Sequence, residues 1–101
     1  MNVLGIDVGG SHVKVLRSGL PRQQERMAAS GPAMTPVMMV HAVKALTADW
    51  TYDAIAIGFP SVVRRGRIVT SPAHLGEGWV GFDFEQAFKC PARVVNDAAM
   101  Q

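Results

Sequence analysis

The chain has 101 residues, 49% of them apolar and 18% charged, with a formal net charge of +2 at pH 7. That length is one domain's worth, and the composition excludes an intrinsically disordered chain. A single cysteine, Cys90, excludes an intrachain disulfide, and so small a net charge admits anionic ligands without demanding nucleic acid.

No run approaches the ~18 apolar residues of a membrane span. The first residues lack a basic segment followed by an apolar one, so a signal peptide is not expected. One free cysteine suits a reducing compartment, and a cytoplasmic location is expected, with neither membrane nor nucleic acid as partner.

In chain order, Val3-Leu4-Gly5-Ile6 is a short apolar run halting at Asp7, which predicts a buried strand. Gly9-Gly10 turns the chain, and the alternation His12-Val13-Lys14-Val15 predicts a second strand that closes a hairpin. Gly19 and Pro21 mark a turn, and polar Gln23 to Met27 reads as an edge strand. Thr35-Pro36 is an N-cap followed by proline at the first helical position. Val37, Val40, Val43 and Leu46 then recur at helical spacing, with Met34, Met38 and Met39 as unbranched filler.

Ala54 to Phe59 is apolar throughout, and a strand apolar on both faces suggests a parallel neighbour covered by helices. Val62-Val63 and Ile68-Val69 flank Arg64-Arg65-Gly66-Arg67, a predicted hairpin with Gly66 in its turn. Ser71 to Gly81 is loop-like. Asp83 caps a short helix to Phe88, with Gln86 as capping-box partner, and Ala92 to Asn96 is a last strand. The chain therefore predicts an α/β domain with a mixed sheet and flanking helices.

Three stretches carry candidate chemistry. In Asp7-Val8-Gly9-Gly10-Ser11 a carboxylate ends a strand, two glycines allow close backbone approach to an anion, and a hydroxyl follows. Lys14 adds positive charge, and Asp7 suits Mg²⁺ held through water. The same residues also fit an ordinary Gly-Gly turn beside a solvated aspartate. Neither a Walker loop nor a dinucleotide fingerprint is present. Asn96-Asp97 also ends a strand. If the sheet is parallel there, Asp7 and Asp97 open onto the same edge, where one can serve a metal and the other accept a proton. The competing role is capping a helix begun by Ala98-Ala99-Met100. In Ser71 to Trp79, His74 or Glu77 can hydrogen-bond a sugar and Trp79 can stack on one, although a core anchor is the commoner role for such a tryptophan. Arg64, Arg65 and Arg67 form a basic cluster, read as a solvated turn or as an attractor of a polyanionic phosphoryl donor. His12, His41, His74 and Cys90 have no zinc-ligand spacing.

The run Leu4-Gly-Ile-Asp-Val-Gly-Gly-Ser-His-Val-Lys14 resembles the first phosphate motif of the ROK family of sugar kinases and repressors. Ile57 to Val63, Gly66 to Pro72, Gly78 to Gly81 and Val95 to Ala98 follow in that family's order. The likeness is greatest to its polyphosphate- and ATP-using glucokinases. Ser11 stands where the family usually has threonine, Ser61 where it usually has glycine, and His74 where an asparagine is common.

The resemblance implies a ribonuclease H-like lobe of the actin and hexokinase type, one of two lobes enclosing an active site. It implies Asp97 as catalytic base on a sugar hydroxyl, with Asn96, Asp97, Ser61 and His74 on the sugar side. It implies Gly9, Gly10, Ser11 and Lys14 on the phosphate side, Asp7 positioning Mg²⁺, and ATP or polyphosphate as donor to a hexose, glucose foremost. The family's later sugar, zinc and nucleotide segments have no counterpart, so a lobe ending inside the helix after Asp97 is expected. Such a lobe should be inactive alone and should pair with a second copy or a C-terminal lobe. The alternative is a non-catalytic sugar-sensing or assembly module of the same fold; a DNA-binding repressor is disfavoured because the first strand starts near Val3.

Overall fold

The computed structural model of the chain describes residues 1–97. The expected helix start at Ala98-Ala99-Met100 lies outside the described residues. Seven strands and two α-helices follow one another as β1 (Val3–Val8), β2 (His12–Arg17), β3 (Arg26–Ala29), α1 (Pro36–Leu46), β4 (Ala54–Phe59), β5 (Val63–Arg64), β6 (Arg67–Ile68), α2 (Phe84–Phe88) and β7 (Ala92–Asn96). Five strands form one mixed sheet in the order β3-β2-β1-β4-β7; β5 and β6 form a separate two-stranded ribbon. β1 is antiparallel to β2 and parallel to β4, and β4 is parallel to β7.

Strand alternation assigns one face to the core. Leu4, Ile6 and Val8 on β1, Val13 and Val15 on β2, Ile55, Ile57 and Phe59 on β4, and Val94 on β7 are all buried in a single cluster. Met39, Val40 and Val43 of α1 and Phe84 and Phe88 of α2 complete that cluster. The opposite face carries Gly5, Leu16, Ala54 and Ala56, all half-buried. Among the described residues both α-helices flank this core face, and β4 lies between two parallel neighbours, as the apolar run Ala54 to Phe59 predicts. Its pattern is large against small, with Ile55, Ile57 and Phe59 facing the core and Ala54, Ala56 and Gly58 facing away.

Local chemistry accounts for the element boundaries. Thr35 Oγ1 accepts from the Met38 N–H at 3.3 Å, with Pro36 at the first helical position. Asp83 Oδ1 accepts from the Gln86 N–H at 3.1 Å, and Lys89 closes α2 in the left-handed region. Asp83 thus supplies its half of the expected capping box, and its other carboxylate oxygen lies 3.7 Å from Arg67. Arg65 and Gly66, at φ 52° and 75°, make the tight turn between β5 and β6.

Three more boundaries differ from expectation. β1 runs through Asp7 to Val8, since Val8 is buried opposite Val13. Gln23 to Met27 is not one strand: a 3₁₀ turn occupies Arg22–Gln24, and β3 starts at Arg26. The Gln24 N–H to Pro21 carbonyl bond at 2.8 Å and the Glu25 N–H to Arg22 carbonyl bond at 3.0 Å close that turn, and beyond it the Arg26 guanidinium bonds the Leu46 carbonyl at 2.8 Å and the Asp49 carboxylate at 3.0 Å and stacks 4.1 Å from the centre of the Trp50 ring. One side chain thereby ties the edge strand to the end of α1.

The loop from 71 to 81 is pinned by Trp79. Its ring lies 4.9 Å from that of Phe59, and its Nε1 donates to the Met34 carbonyl at 3.1 Å. The Gly76 N–H donates to the same carbonyl at 2.8 Å. Trp79 is thus the core anchor, not a sugar-stacking surface. Replacing it by alanine is expected to cost about 3–5 kcal/mol, read as a lower urea midpoint, with Trp79→Phe intermediate because ring packing survives while the bond to Met34 is lost.

Candidate functional site

Register places the two aspartates on one side of the sheet. Asp7 is paired with Lys14 on β2 and with Gly58 on β4, and Gly58 is paired with Val95 on β7. Asp97 comes directly after the end of β7 and lines the same depression as Asp7. All three lie on the half-exposed face, where a depression of about 380 Å³ is lined by Asp7, Lys14 and Asp97. Gly5 and Leu16 form its floor, and Arg22 and Glu25 reach in from the segment before β3. Parallel pairing brings Asp7 and Asp97 to the same carboxyl-end edge, the usual ligand edge of α/β sheets. Lys14 is turned toward them, not away.

The glycine turn sits above this depression and does not line it. Gly9 donates its N–H to the His12 carbonyl at 2.9 Å, and Ser30 donates its N–H to the Ser11 carbonyl at 2.9 Å. The Ser30 hydroxyl donates to the Gly9 carbonyl. Ser30 therefore holds the loop from the neighbouring strand end. Ser30-Gly31-Pro32 carries no sequence signal of that role, and only the β2–β3 pairing brings Ser30 beside the turn. The glycines are required for space, since neither has positive φ. A Cβ on Gly9 would lie 3.1 Å from the His12 oxygen, and one on Gly10 would lie 2.9 Å from the His74 Cβ. His74 is thus packed against the glycine turn.

Asn96 and Ser61 belong to a different neighbourhood. Asn96 follows Val94 in alternation, so it faces the opposite side from Asp97. Its Nδ2 donates to the Ser61 carbonyl at 2.7 Å. The Ser61 hydroxyl donates to the Thr70 carbonyl at 2.9 Å, closing the base of the β5–β6 ribbon. Asp7, Lys14 and Asp97 are brought together; Gly10 and His74 form a second contact above them, and Asn96 with Ser61 a third.

Among the described residues no group of three or more His, Cys, Asp or Glu side chains forms a metal cage. Asp7 offers a single exposed carboxylate, which fits a hydrated Mg²⁺ and not a dehydrated ion. Partial burial, and secondarily the Glu85 carboxylate, push the Cys90 thiol above the usual range, which leaves it less thiolate at neutral pH. No helix among the described residues is long and apolar enough to cross a membrane.

No protein-family model matches the chain, and no curated relative does. Solved structures do. An inorganic polyphosphate/ATP-glucomannokinase from Arthrobacter sp. strain KM superposes with a TM-score of 0.75 at 19% identity, over 96% of this chain and 44% of its own. A ROK family glucokinase from Streptomyces griseus, solved with glucose and AMPPNP, gives 0.72 at 22% identity, over 97% of this chain and 34% of its own. A ROK hexokinase from Thermus thermophilus gives 0.65 at 22%, over 97% and 36%. The chain thus has the α/β fold seen in ROK sugar kinases and spans less than half the length of each.

Two outcomes follow from this geometry. Gly10→Ala is expected to displace His74, moving its ring resonances and lowering stability by about 1–3 kcal/mol, the range for overpacking. Because the thiol pKa is raised, less thiolate is present at neutral pH, so iodoacetamide is expected to alkylate Cys90 more slowly than free cysteine at pH 7. The rate should climb as pH rises past the ordinary thiol range.

Proposed function

We propose that this chain is the phosphate- and sugar-binding lobe of a hexose kinase, transferring a phosphoryl group from ATP or polyphosphate to a sugar hydroxyl. The observation that carries the proposal is the convergence of Asp7, Lys14 and Asp97 in one depression at the carboxyl edge of the sheet. The fold shared with sugar kinases supports it.

Phosphoryl transfer asks for positioning and charge neutralisation more than for covalent chemistry. The Asp97 carboxylate accepts the proton of the attacking sugar hydroxyl. The hydroxyl oxygen bonds the terminal phosphorus while the bond to the donor breaks, leaving ADP or a shortened polyphosphate. Asp7 would hold a hydrated Mg²⁺ through water, and such an ion would supply charge neutralisation on the transferred group. Lys14 adds a fixed positive charge beside Asp7. Gly9 commits its N–H to the turn, so Gly10 and the Ser11 hydroxyl are the donors offered to the phosphoryl oxygens, with Gly9 leaving room for approach. Asn96, Ser61 and His74 shape the sugar side, with Asn96 fixed by its bond to Ser61. The sheet face that no helix covers among the described residues suits a second lobe or a second copy closing over the depression.

The test is a chimera carrying this chain ahead of the C-terminal lobe of the Streptomyces griseus glucokinase, assayed with glucose, mannose and N-acetylhexosamines against Mg-ATP and polyphosphate. The chain alone is expected to show no turnover. In an active chimera Asp97→Asn is expected to lower turnover by about 10²–10⁴-fold, the scale of a lost general base. An unchanged rate in that variant overturns the mechanism.

A further inference from the structure

The glycine turn between β1 and β2 is clamped by one residue from outside the hairpin. The Ser30 hydroxyl donates to the Gly9 carbonyl, and the Ser30 N–H donates to the Ser11 carbonyl at 2.9 Å. Ser30 therefore holds the peptide planes 9–10 and 11–12, and the plane 10–11 is fixed between them. In a planar trans peptide the N–H points opposite to the carbonyl, and no peptide bond among the described residues is cis. With the Gly9 carbonyl aimed at Ser30, the Gly10 N–H is aimed away from it.

This arrangement leaves a pair of donors open. Among the described residues neither the Gly10 N–H nor the Ser11 N–H donates to a protein acceptor. Gly10 is half-buried and Ser11 is exposed, so both can be reached. Successive open N–H groups in a turn form an anion-binding concavity. Glycines alone would not hold that shape, because they have many conformations to choose from and neither Gly9 nor Gly10 is committed to a positive φ. His74 closes one side, since a Cβ on Gly10 would lie 2.9 Å from the His74 Cβ. Ser30 supplies the remaining constraint. Its N–H bond continues the β2–β3 ladder beyond the pairing of His12 with Ala29, and any residue but proline makes it. The hydroxyl bond needs serine or threonine.

We propose that Ser30 is a positioning residue for phosphate: its hydroxyl sets the 9–10 peptide plane so that the Gly10 and Ser11 N–H groups meet the terminal phosphoryl oxygens already oriented. Donors fixed before the anion arrives cost little further ordering when it binds. The proposal rests on the reading of this turn as the phosphate side of a kinase, and adds to it a residue that acts through the turn and not on the phosphoryl group. Ser30 follows the edge strand β3, with β2 and β1 between that strand and β4, so its hydroxyl reaches the site only by way of Gly9.

The experiment titrates magnesium-free tripolyphosphate into the isotope-labelled chain at constant ionic strength and follows the amide resonances. The Gly10 and Ser11 amide protons are expected to move downfield saturably. Ser30→Ala is expected to weaken binding about fivefold, the scale of one lost hydrogen bond. It should also change the residual dipolar coupling of the Gly10 N–H while couplings across β1 and β4 stay as they are. Ser30→Thr, which keeps the hydroxyl, is expected to restore affinity and coupling together. Equal affinity in Ser30→Ala, with Gly10 and Ser11 still responding, overturns the proposal and leaves the phosphate reading of the turn standing. Coupling changes spread over β1 and β4, or no recovery with threonine, show a merely structural role and overturn it too. No movement of either amide in the unsubstituted chain up to about 10 mM sinks the phosphate reading of the turn together with the proposal. The role of Asp97 is read separately, by Asp97→Asn in the chimera.

Discussion

Everything in this structure depends on the parallel register of β4 between β1 and β7. The pairings Asp7 with Gly58 and Gly58 with Val95 decide which face each side chain meets. A slip of one residue at either ladder would turn a whole strand over, burying a carboxylate and exposing an isoleucine. The register is locked by Leu4 and Ile6 against Ile55 and Ile57, all almost fully buried. Apolar packing on one face thus selects the charge arrangement on the other. Burial fixes the site, although none of the site's charged groups is itself buried.

The two faces solve different problems with the same strands. The core face uses large side chains, with Phe59 and Trp79 in ring contact and Met39 and Val43 of α1 closing over them. The other face uses Gly5, Ala54, Ala56 and Gly58, whose small size leaves the main chain near the surface and lets acidic and basic groups stand at its edge. Ser30 and His74 come from remote parts of the chain and bracket the glycine turn from two sides. The turn is therefore held by main-chain bonds and close packing, and its shape does not depend on glycine conformations denied to other residues.

Much of this was legible in the sequence. Period-two alternation predicts β2, helical spacing with Thr35-Pro36 predicts α1, and the apolar run predicts β4. The pairing of Asp7 with Asp97 was legible as a conditional, waiting on whether the strands run parallel. Three things were not. An all-apolar run does not say that Ala and Gly face one way and Ile and Phe the other unless size is read along with hydropathy. Arg26 looks like one more polar residue in a polar stretch, because its partners Leu46, Asp49 and Trp50 lie twenty or more positions away. Asn96 and Asp97 are adjacent in sequence and so look like one site, yet a strand sends neighbours to opposite faces, and Asn96 ends up serving the ribbon through Ser61.

The sheet's connectivity also orders events in time. β1 is completed on one side by β2, a few residues on, and on the other by β4, where Val3 meets Ala54. The β1–β2 hairpin closes a short loop, while the β1–β4 and β4–β7 pairings must first close long ones, a slow step in chains dominated by distant contacts. The glycine turn can therefore take shape early. The juxtaposition of Asp7 and Asp97 requires both long closures, and among the described residues β4 is the one sheet neighbour that holds β7 in register.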